Sequence, residues 1–185
     1  MRKLKLEGQY SDDDLVARLR SSKTRHKAYT ELLDRYQERI YWQVRRIVGG
    51  HEDATDVTQN VWLKVFRGID GFRHGSTLYS WLYRIAHNEA INHNKKNKKH
   101  ILATSQLRTT PSQEDGPSSE RIEQLIQGAL LALPDRQRMV FEARYFDETP
   151  YLHLSKELRI SVGALKASYH HAVKKVEFYV RKHAE

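Results

Sequence analysis

Cysteine is absent from the chain, and that one absence excludes disulfides, thiol redox sensing and cysteine-held zinc. Proline is scarce, with four in 185 residues, so little of the chain is barred from helix. No apolar run approaches the roughly 18 residues that would cross a bilayer. The opening stretch, Met1 to Asp14, has basic residues but no apolar core behind them, unlike a signal peptide. The expectation is a cytoplasmic protein with no membrane insertion. Period-two alternation of apolar and polar residues is missing as well, which argues against a sheet.

Chemistry-bearing motifs are also missing. There is no HExxH or similar arrangement, no nucleophile–base motif and no phosphate-binding glycine loop. The ten histidines do not form a metal set. His170 and His171 are adjacent and diverge on a helix, and the six-residue spacing of His87 and His93 does not suit one helix face. No catalytic residue, no metal and no cofactor is therefore expected.

What the chain does have is positive charge. It carries 32 Lys+Arg against 23 Asp+Glu, a formal net charge of +9. The first 100 residues hold 20 of the basic and 12 of the acidic residues, net +8, leaving 12 and 11 for residues 101–185. A basic surface of this kind suits a polyanionic partner, nucleic acid or an acidic membrane. Hydrophobic residues are 39% of the chain and charged residues 30%, which suits small domains with much surface.

Helical spacing runs through the chain. Ser11 followed by Asp12, Asp13 and Asp14 reads as a capped helix start, with Leu15 and Leu19 inward. After the polar Ser21-Ser22-Lys23 comes a longer helix, in which Leu32, Tyr36, Ile40, Val44 and Val48 recur every four residues. Gly49-Gly50 ends it. The run DATDVTQNVWLKVF from Asp53 predicts a third helix, with Ala54, Val57, Val61, Val65 and Phe66 inward. Asp53, Asp56, Gln59, Asn60 and Lys64 then fall on its outer face. A short loop with Gly71 and Gly75 leads to a fourth helix. Ser76 is its expected cap, Leu78, Leu82, Ile85 and Ala86 face inward, and Lys95, Lys96, Lys98 and Lys99 form its tip.

Residues 103–119, ATSQLRTTPSQEDGPSS, are poor in large apolar residues and rich in serine, threonine and proline, the composition of a linker. Helical spacing resumes at Ile122, Leu125, Ile126, Ala129, Leu130 and Leu133. Pro134 opens a helix lined by Met139, Val140, Ala143 and Phe146. Thr149-Pro150 starts a short helix through Leu158. A tight turn at Arg159-Ile160 follows, and Ser161 caps a final helix carrying Val162, Leu165, Tyr169, Ala172, Val173, Val176 and Val180. Short helix, tight turn, long helix is the helix-turn-helix pattern, whose second helix reads the major groove with its N-terminal residues. The predicted fold is all-α. It has two small helical domains, at 1–100 and 121–185, joined by a flexible linker over 101–120, the C-terminal domain being the helix-turn-helix.

DATDVTQNVWLKVF resembles the DAxDLVQExFL helix of sigma-70-family transcription initiation factors. WLYRIAHNEAINH, from Trp81, resembles their WLYRIARNxAID helix. The segment from Leu133, LPDRQRMVFEARYFDETPYLHLSKELRISVGALKASYHHAVKKV, resembles the promoter-reading domain of the extracytoplasmic-function group, LPxxxRxVFxLxxxEGxSYxEIAxxLGVSxGTVKSRxxRA. The chain keeps Leu133, Pro134, Arg138, Val140, Phe141, Leu158, Ser161, Gly163 and Lys166. It departs at Pro150, His153, Ala164, Ser168 and His171, where the family often has Ser, Glu, Thr, Arg and Arg. The loss of two arginines bears on base preference, because arginine makes the commonest bidentate guanine contact.

The resemblance implies a dissociable subunit of bacterial RNA polymerase that recognises and melts promoters and catalyses no bond chemistry itself. Its implied partners are core RNA polymerase and promoter DNA, duplex at −35 and melted at −10. An anti-sigma factor is a candidate third. It assigns Asp53, Asp56, Gln59 and Asn60 to core polymerase binding. It assigns Arg73, His74, Ser76 and Asn88, with Lys95 and Lys96 on phosphates, to −10 DNA. It assigns Ser161, Lys166, Ser168, His170, His171 and Lys174 to −35 DNA. Trp81, inside its helix, is expected to pack rather than stack on bases.

Two other classes compete. A helix-turn-helix regulator could bind duplex DNA without polymerase, but it leaves the WLYRIA helix and the DxxDxxQ helix unexplained. A nucleic-acid enzyme would share the basic charge, but needs a catalytic constellation that the sequence lacks.

Overall fold

The structure, a computed structural model, describes residues 11–73, 75–104 and 119–183, apart from the side chains of 98–104, 119, 120, 123 and 124. His74, most of the expected linker and the side chains of Lys98 and Lys99 lie outside the described residues. The elements in order are α1 (Asp12–Arg20), α2 (Arg25–Val48), α3 (His51–Gly68), a single 3-10 turn (Ile69–Gly71), α4 (Leu78–Thr104), α5 (Ser119–Leu131), α6 (Asp135–Tyr145), α7 (Tyr151–Leu158) and α8 (Val162–His183). Among the described residues there is no strand.

Several helix ends follow directly from residue chemistry. The Ser11 hydroxyl accepts from the Asp14 N–H at 3.1 Å, which satisfies one free donor of α1. Gly49 takes a φ of +85°, a left-handed conformation that stops α2. Ser161 accepts from the Ala164 N–H at 3.2 Å and caps α8. Helix α4 departs from expectation. Its cap is Thr77, which accepts from the Ser80 N–H at 3.3 Å. Ser76 is engaged elsewhere, accepting from the Arg84 guanidinium at 3.1 Å.

Helix α2 is the pivot of the N-terminal half. Its buried stripe of Leu32, Tyr36, Ile40 and Val44 meets α1, α3 and α4. Helix α3 contributes Ala54, Val57, Val61 and Val65, and α4 contributes Leu78, Leu82, Ala86 and Ala90. Phe66 does not join them. It is 43% exposed, because Val65 already fills the core position and the next residue lies about 100° further round the helix. Its ring packs edge-on to Tyr29, with centroids 5.2 Å apart. Phe146, also expected inward, lies largely at the surface beneath the Arg46 guanidinium, 4.5 Å from its ring centre. Trp81 packs against Phe72, with ring centroids 5.3 Å apart, as expected.

The two halves share one core. Met139, Val140, Ala143, Leu154, Leu158 and Leu165 belong to the same buried cluster as α1 to α4. A smaller cluster of Leu130, Leu133, Phe141 and Ala172 holds the C-terminal helices to one another. Between α7 and α8 the chain turns at Arg159, which adopts φ +54° and ψ +42°. The Ile160 N–H bonds the Ser155 carbonyl at 3.2 Å, and the Ser155 hydroxyl bonds the Ile160 carbonyl at 2.6 Å, which fixes the turn.

Candidate nucleic-acid interface

Three polar surfaces answer to the residues singled out above. The first is the outer face of α3. Asp56, Gln59 and Asn60 are exposed there, one turn apart or adjacent. Asp53 is half-buried and sits 3.2 Å from Nε2 of His93 on α4. Gln59 also borders a shallow hollow of about 460 Å³, lined by Gln37, Glu38, Tyr41, Thr55, Thr58 and Trp62. Sequence reading missed the α2 side of this hollow. Its signal is the pair Gln37 and Tyr41, four apart and outside the buried stripe of α2.

The second surface runs from the loop along α4. Arg73 is exposed, Ser76 is half-buried, and Phe72 is buried and anchors the loop. Arg20 donates to the Phe72 carbonyl, which ties the loop to α1. Arg84, Asn88, Asn92, Lys95 and Lys96 are all exposed. Their spacing of three and four places them on one stripe. Arg84 was not singled out from the sequence. It touches Ser76 and begins the stripe that Asn88 continues, and its position four residues before Asn88 was the available signal. Lys64 on α3 reaches Glu89 on α4, which braces the two helices.

The buried side of α4 has different chemistry. Tyr79 and Tyr83 are 3% and 1% exposed, so neither ring is open to a base in this conformation. His87 stacks on Tyr83 with an interplanar angle of 4°. Burial, with the nearby Arg138 charge, lowers its imidazole to about 4, so it is neutral near pH 7 and supplies no charge for phosphate.

The third surface is α8. Lys166, His170, His171 and Lys174 are exposed, and Ser161 is exposed at the N-terminal end. Leu165 and Ala172 face the core. Ser168 is half-buried at the margin of the exposed stripe. Lys166 stands 5.9 Å from the centre of the Tyr151 ring, and Arg144 covers the same ring at 4.4 Å. Tyr151, at the start of α7, is thus a further residue that the sequence did not place beside α8. Among the described residues no group of three or more His, Asp or Glu could hold a metal ion, and no helix is long and apolar enough to cross a membrane.

The family model for sigma-70 region 2 matches residues 32–100, and that for sigma-70 region 4 matches residues 123–176. The chain belongs to the extracytoplasmic-function group of the sigma-70 family. It is 28% identical over 156 residues to the ECF RNA polymerase sigma factor SigW of Bacillus subtilis (strain 168), covering 77% of this chain and 83% of SigW. It is 28% identical over 172 residues to the ECF RNA polymerase sigma-E factor of Escherichia coli (strain K12), covering 86% of this chain and 88% of that one. The structure of CnrH in complex with the cytosolic domain of CnrY shares the fold, with a TM-score of 0.52, 17% identity, and coverage of 93% of this chain and 98% of CnrH. In this sigma factor the first two surfaces lie within the region 2 match and the exposed α8 stripe within the region 4 match.

Proposed function

We propose that this sigma factor binds core RNA polymerase through the α3 face and divides promoter DNA between its two halves. Asp56, Gln59 and Asn60, with Asp53 beside them, form the polymerase contact, and Gln37, Glu38 and Tyr41 extend it across the hollow. The loop at Arg73 and Ser76, with Arg84, Asn88, Lys95 and Lys96, takes the melted −10 strand. His74 belongs to this group by resemblance. Helix α8 reads duplex −35 DNA through Lys166, His170, His171 and Lys174, with Ser161 at its start and Ser168 at its edge. The observation that carries this reading is the continuous stripe from Ser76 and Arg84 to Lys96, which joins a loop to a basic helix tip as a single-strand track requires.

The factor makes and breaks no bond. Polymerase supplies the active site, and binding energy from core enzyme and DNA drives opening of the duplex. Its place of action is the cytoplasm, where its partners are core polymerase, promoter DNA and an anti-sigma protein. The segment between Thr104 and Ser119 joins the two DNA-binding halves.

The test changes Asp56 and Gln59 together to Ala and measures affinity for core polymerase. Weaker binding with an unchanged helical circular-dichroism signal is expected. Unaltered affinity for core would remove the α3 face from the polymerase contact. Transcription from duplex DNA by this chain with core enzyme separates a sigma factor from a regulator that binds DNA alone.

A further inference from the structure

Neither Arg20 nor Arg25 is among the residues assigned to DNA, yet both hold the loop that leads into α4. Arg20 ends α1 and donates to the Phe72 carbonyl, 52 positions along the chain. Arg25 begins α2 and reaches in two directions. Its Nε donates to the Leu19 carbonyl at 2.7 Å, and its Nη2 lies 2.6 Å from Oδ1 of Asp70 in the 3-10 turn. One guanidinium thus joins the end of α1, the start of α2 and the turn before the loop. The corner that carries both arginines is itself internally bonded. The Thr24 hydroxyl donates to the Arg18 carbonyl at 2.8 Å. The Thr24 and Arg25 N–H groups both bond the Ser21 carbonyl, at 3.1 and 2.8 Å.

We propose that this α1–α2 corner sets the base preference at −10, with Arg20 and Arg25 as positioning residues that fix the loop without touching the selected base. The inference rests on the reading that the loop takes the melted −10 strand. A captured base is read by hydrogen bonds to its edge, and a recognition site must be held to within about 0.5 Å to make them. The loop's own sequence does not supply that order. It contains Gly75 and follows Gly71, and a Cβ added at either would meet nothing within 4 Å, so no packing steadies those two positions. The far end of the loop is set by the Thr77 cap and by the Arg84 bond to Ser76. The near end is set by the buried Phe72 ring and by the two arginines.

Folding stability does not account for these contacts. Asp70 is 60% exposed, and an ion pair so open to water contributes little to stability. What the pair does is fix where the turn lies relative to α1 and α2. A loop whose ends are fixed before DNA arrives has less conformational freedom to lose on binding, and it offers each base the same set of partners. Loosening the corner should therefore cost discrimination between bases before it costs the fold.

The test uses the full-length protein with core polymerase on promoter templates opened as a bubble over −10, with each −10 base replaced in turn. Transcription is scored as the preference for the original base over its replacements, about fivefold or more at a position that is read. Asp70→Ala and Arg20→Ala should flatten that preference severalfold, with core affinity and the helical circular-dichroism signal unchanged. Asp70→Glu and Arg20→Lys keep the carboxylate and the donor and should restore most of it. A corner that serves only the fold would lower yield alike on every template and leave the preference intact, which overturns the inference. So would a preference that stays at its unaltered value in Asp70→Ala, Arg25→Gln and Arg20→Ala. Arg20 is exposed, and a direct phosphate contact has its own signature. Arg20→Ala would then weaken binding alike for all bases and lower the slope of log affinity against log salt by about 0.7, which overturns its positioning role. The combined Arg73→Ala/Ser76→Ala/Asn88→Ala variant separates the two readings. If it flattens the preference and the corner variants do not, the corner alone is excluded. If it leaves the preference intact, the loop does not read −10, and that part of the proposed function falls together with this inference.

Discussion

The Tyr83 hydroxyl donates to Oε2 of Glu142 across 2.8 Å, joining α4 of the N-terminal half to α6 of the C-terminal half. Glu142 is 2% exposed, so this bond is made in the driest part of the seam. Burial raises its carboxyl from the ordinary 4.5 to about 7, against the opposing pull of Arg46, the Tyr83 bond and Arg138. The remaining charge facing it is Asp147, which pushes the same way as burial.

The sign of the resulting pH dependence is fixed. The folded state holds the Glu142 proton more tightly than the unfolded state does. Its stability contribution is full below the ordinary carboxyl value of 4.5 and is lost as pH rises through about 7. Glutamine cannot ionise. Glu142→Gln should therefore lose less stability than the unaltered protein between about pH 5 and pH 8. His87 acts oppositely. Its stability is present above 6.5 and lost as pH falls through about 4. The two partly cancel in the unaltered chain, so Glu142→Gln should also expose a decline on acidification. Urea unfolding across this pH range checks both, and parallel profiles for the two proteins would contradict the assignment.

Arg159 carries the turn of the helix-turn-helix in a left-handed conformation that costs a residue with a Cβ about 1 kcal/mol or more. Its ion pair with Asp13 at 2.7 Å joins two side chains that are each more than half exposed, and such pairs contribute little. Arg159→Gly should melt no lower than the unaltered protein. Arg159→Val, β-branched at a positive φ, should be less stable than the glycine variant by about 1–2 kcal/mol. Thermal melting of the pair decides it.

Lys166 is exposed on α8 beside Tyr151. If it meets a phosphate, Lys166→Ala should weaken duplex binding alike for matched and scrambled −35 sequences. The slope of log affinity against log salt should then fall by about 1. A loss confined to the matched sequence, with the slope unchanged, would make Lys166 a base reader instead.

How far the sequence could be read follows from the range of each interaction. Local chemistry was visible: Ser11 and Ser161 cap their helices, Gly49 stops α2, and the four-residue stripe of α2 is buried as its spacing requires. Near-misses were one residue wide. Thr77 took the capping role from Ser76 because Arg84 claimed the serine, and Phe66 yielded the core to Val65. What stayed hidden is long-range. Arg39 and Glu157 are 118 positions apart, and periodicity gives no hint that they meet. Nor does it reveal that Glu142, a charged residue on a short helix, lies deeper than most of the apolar residues around it. The outward faces of α3, α4 and α8 could be listed from spacing. Arg84, Gln37 and Tyr41 joined them only once neighbouring helices were placed.

The loop from Phe72 to Ser76 joins the proposed polymerase-binding helix to the basic stripe of α4. Phe72 is buried and its carbonyl is held by Arg20, while Arg73 and Gly75 are exposed. Anchored ends with an exposed middle suit capture of a base that has left the stack. Ala at Arg73, Ser76 or Asn88 should therefore impair transcription from fully duplex promoters more than initial binding. A template with a pre-opened bubble that keeps the −10 bases removes the unstacking cost of a few kcal/mol per base. The same variants should regain part of their activity on it. Arg84→Ala removes both a member of the stripe and the donor that holds Ser76 at 3.1 Å, so its defect should exceed that of Ser76→Ala, and combining the two should add little to it. Equal impairment on duplex and bubble templates would deny the loop a part in melting. Exchanging the −10 bases would then show whether it reads sequence or only spaces the two helices.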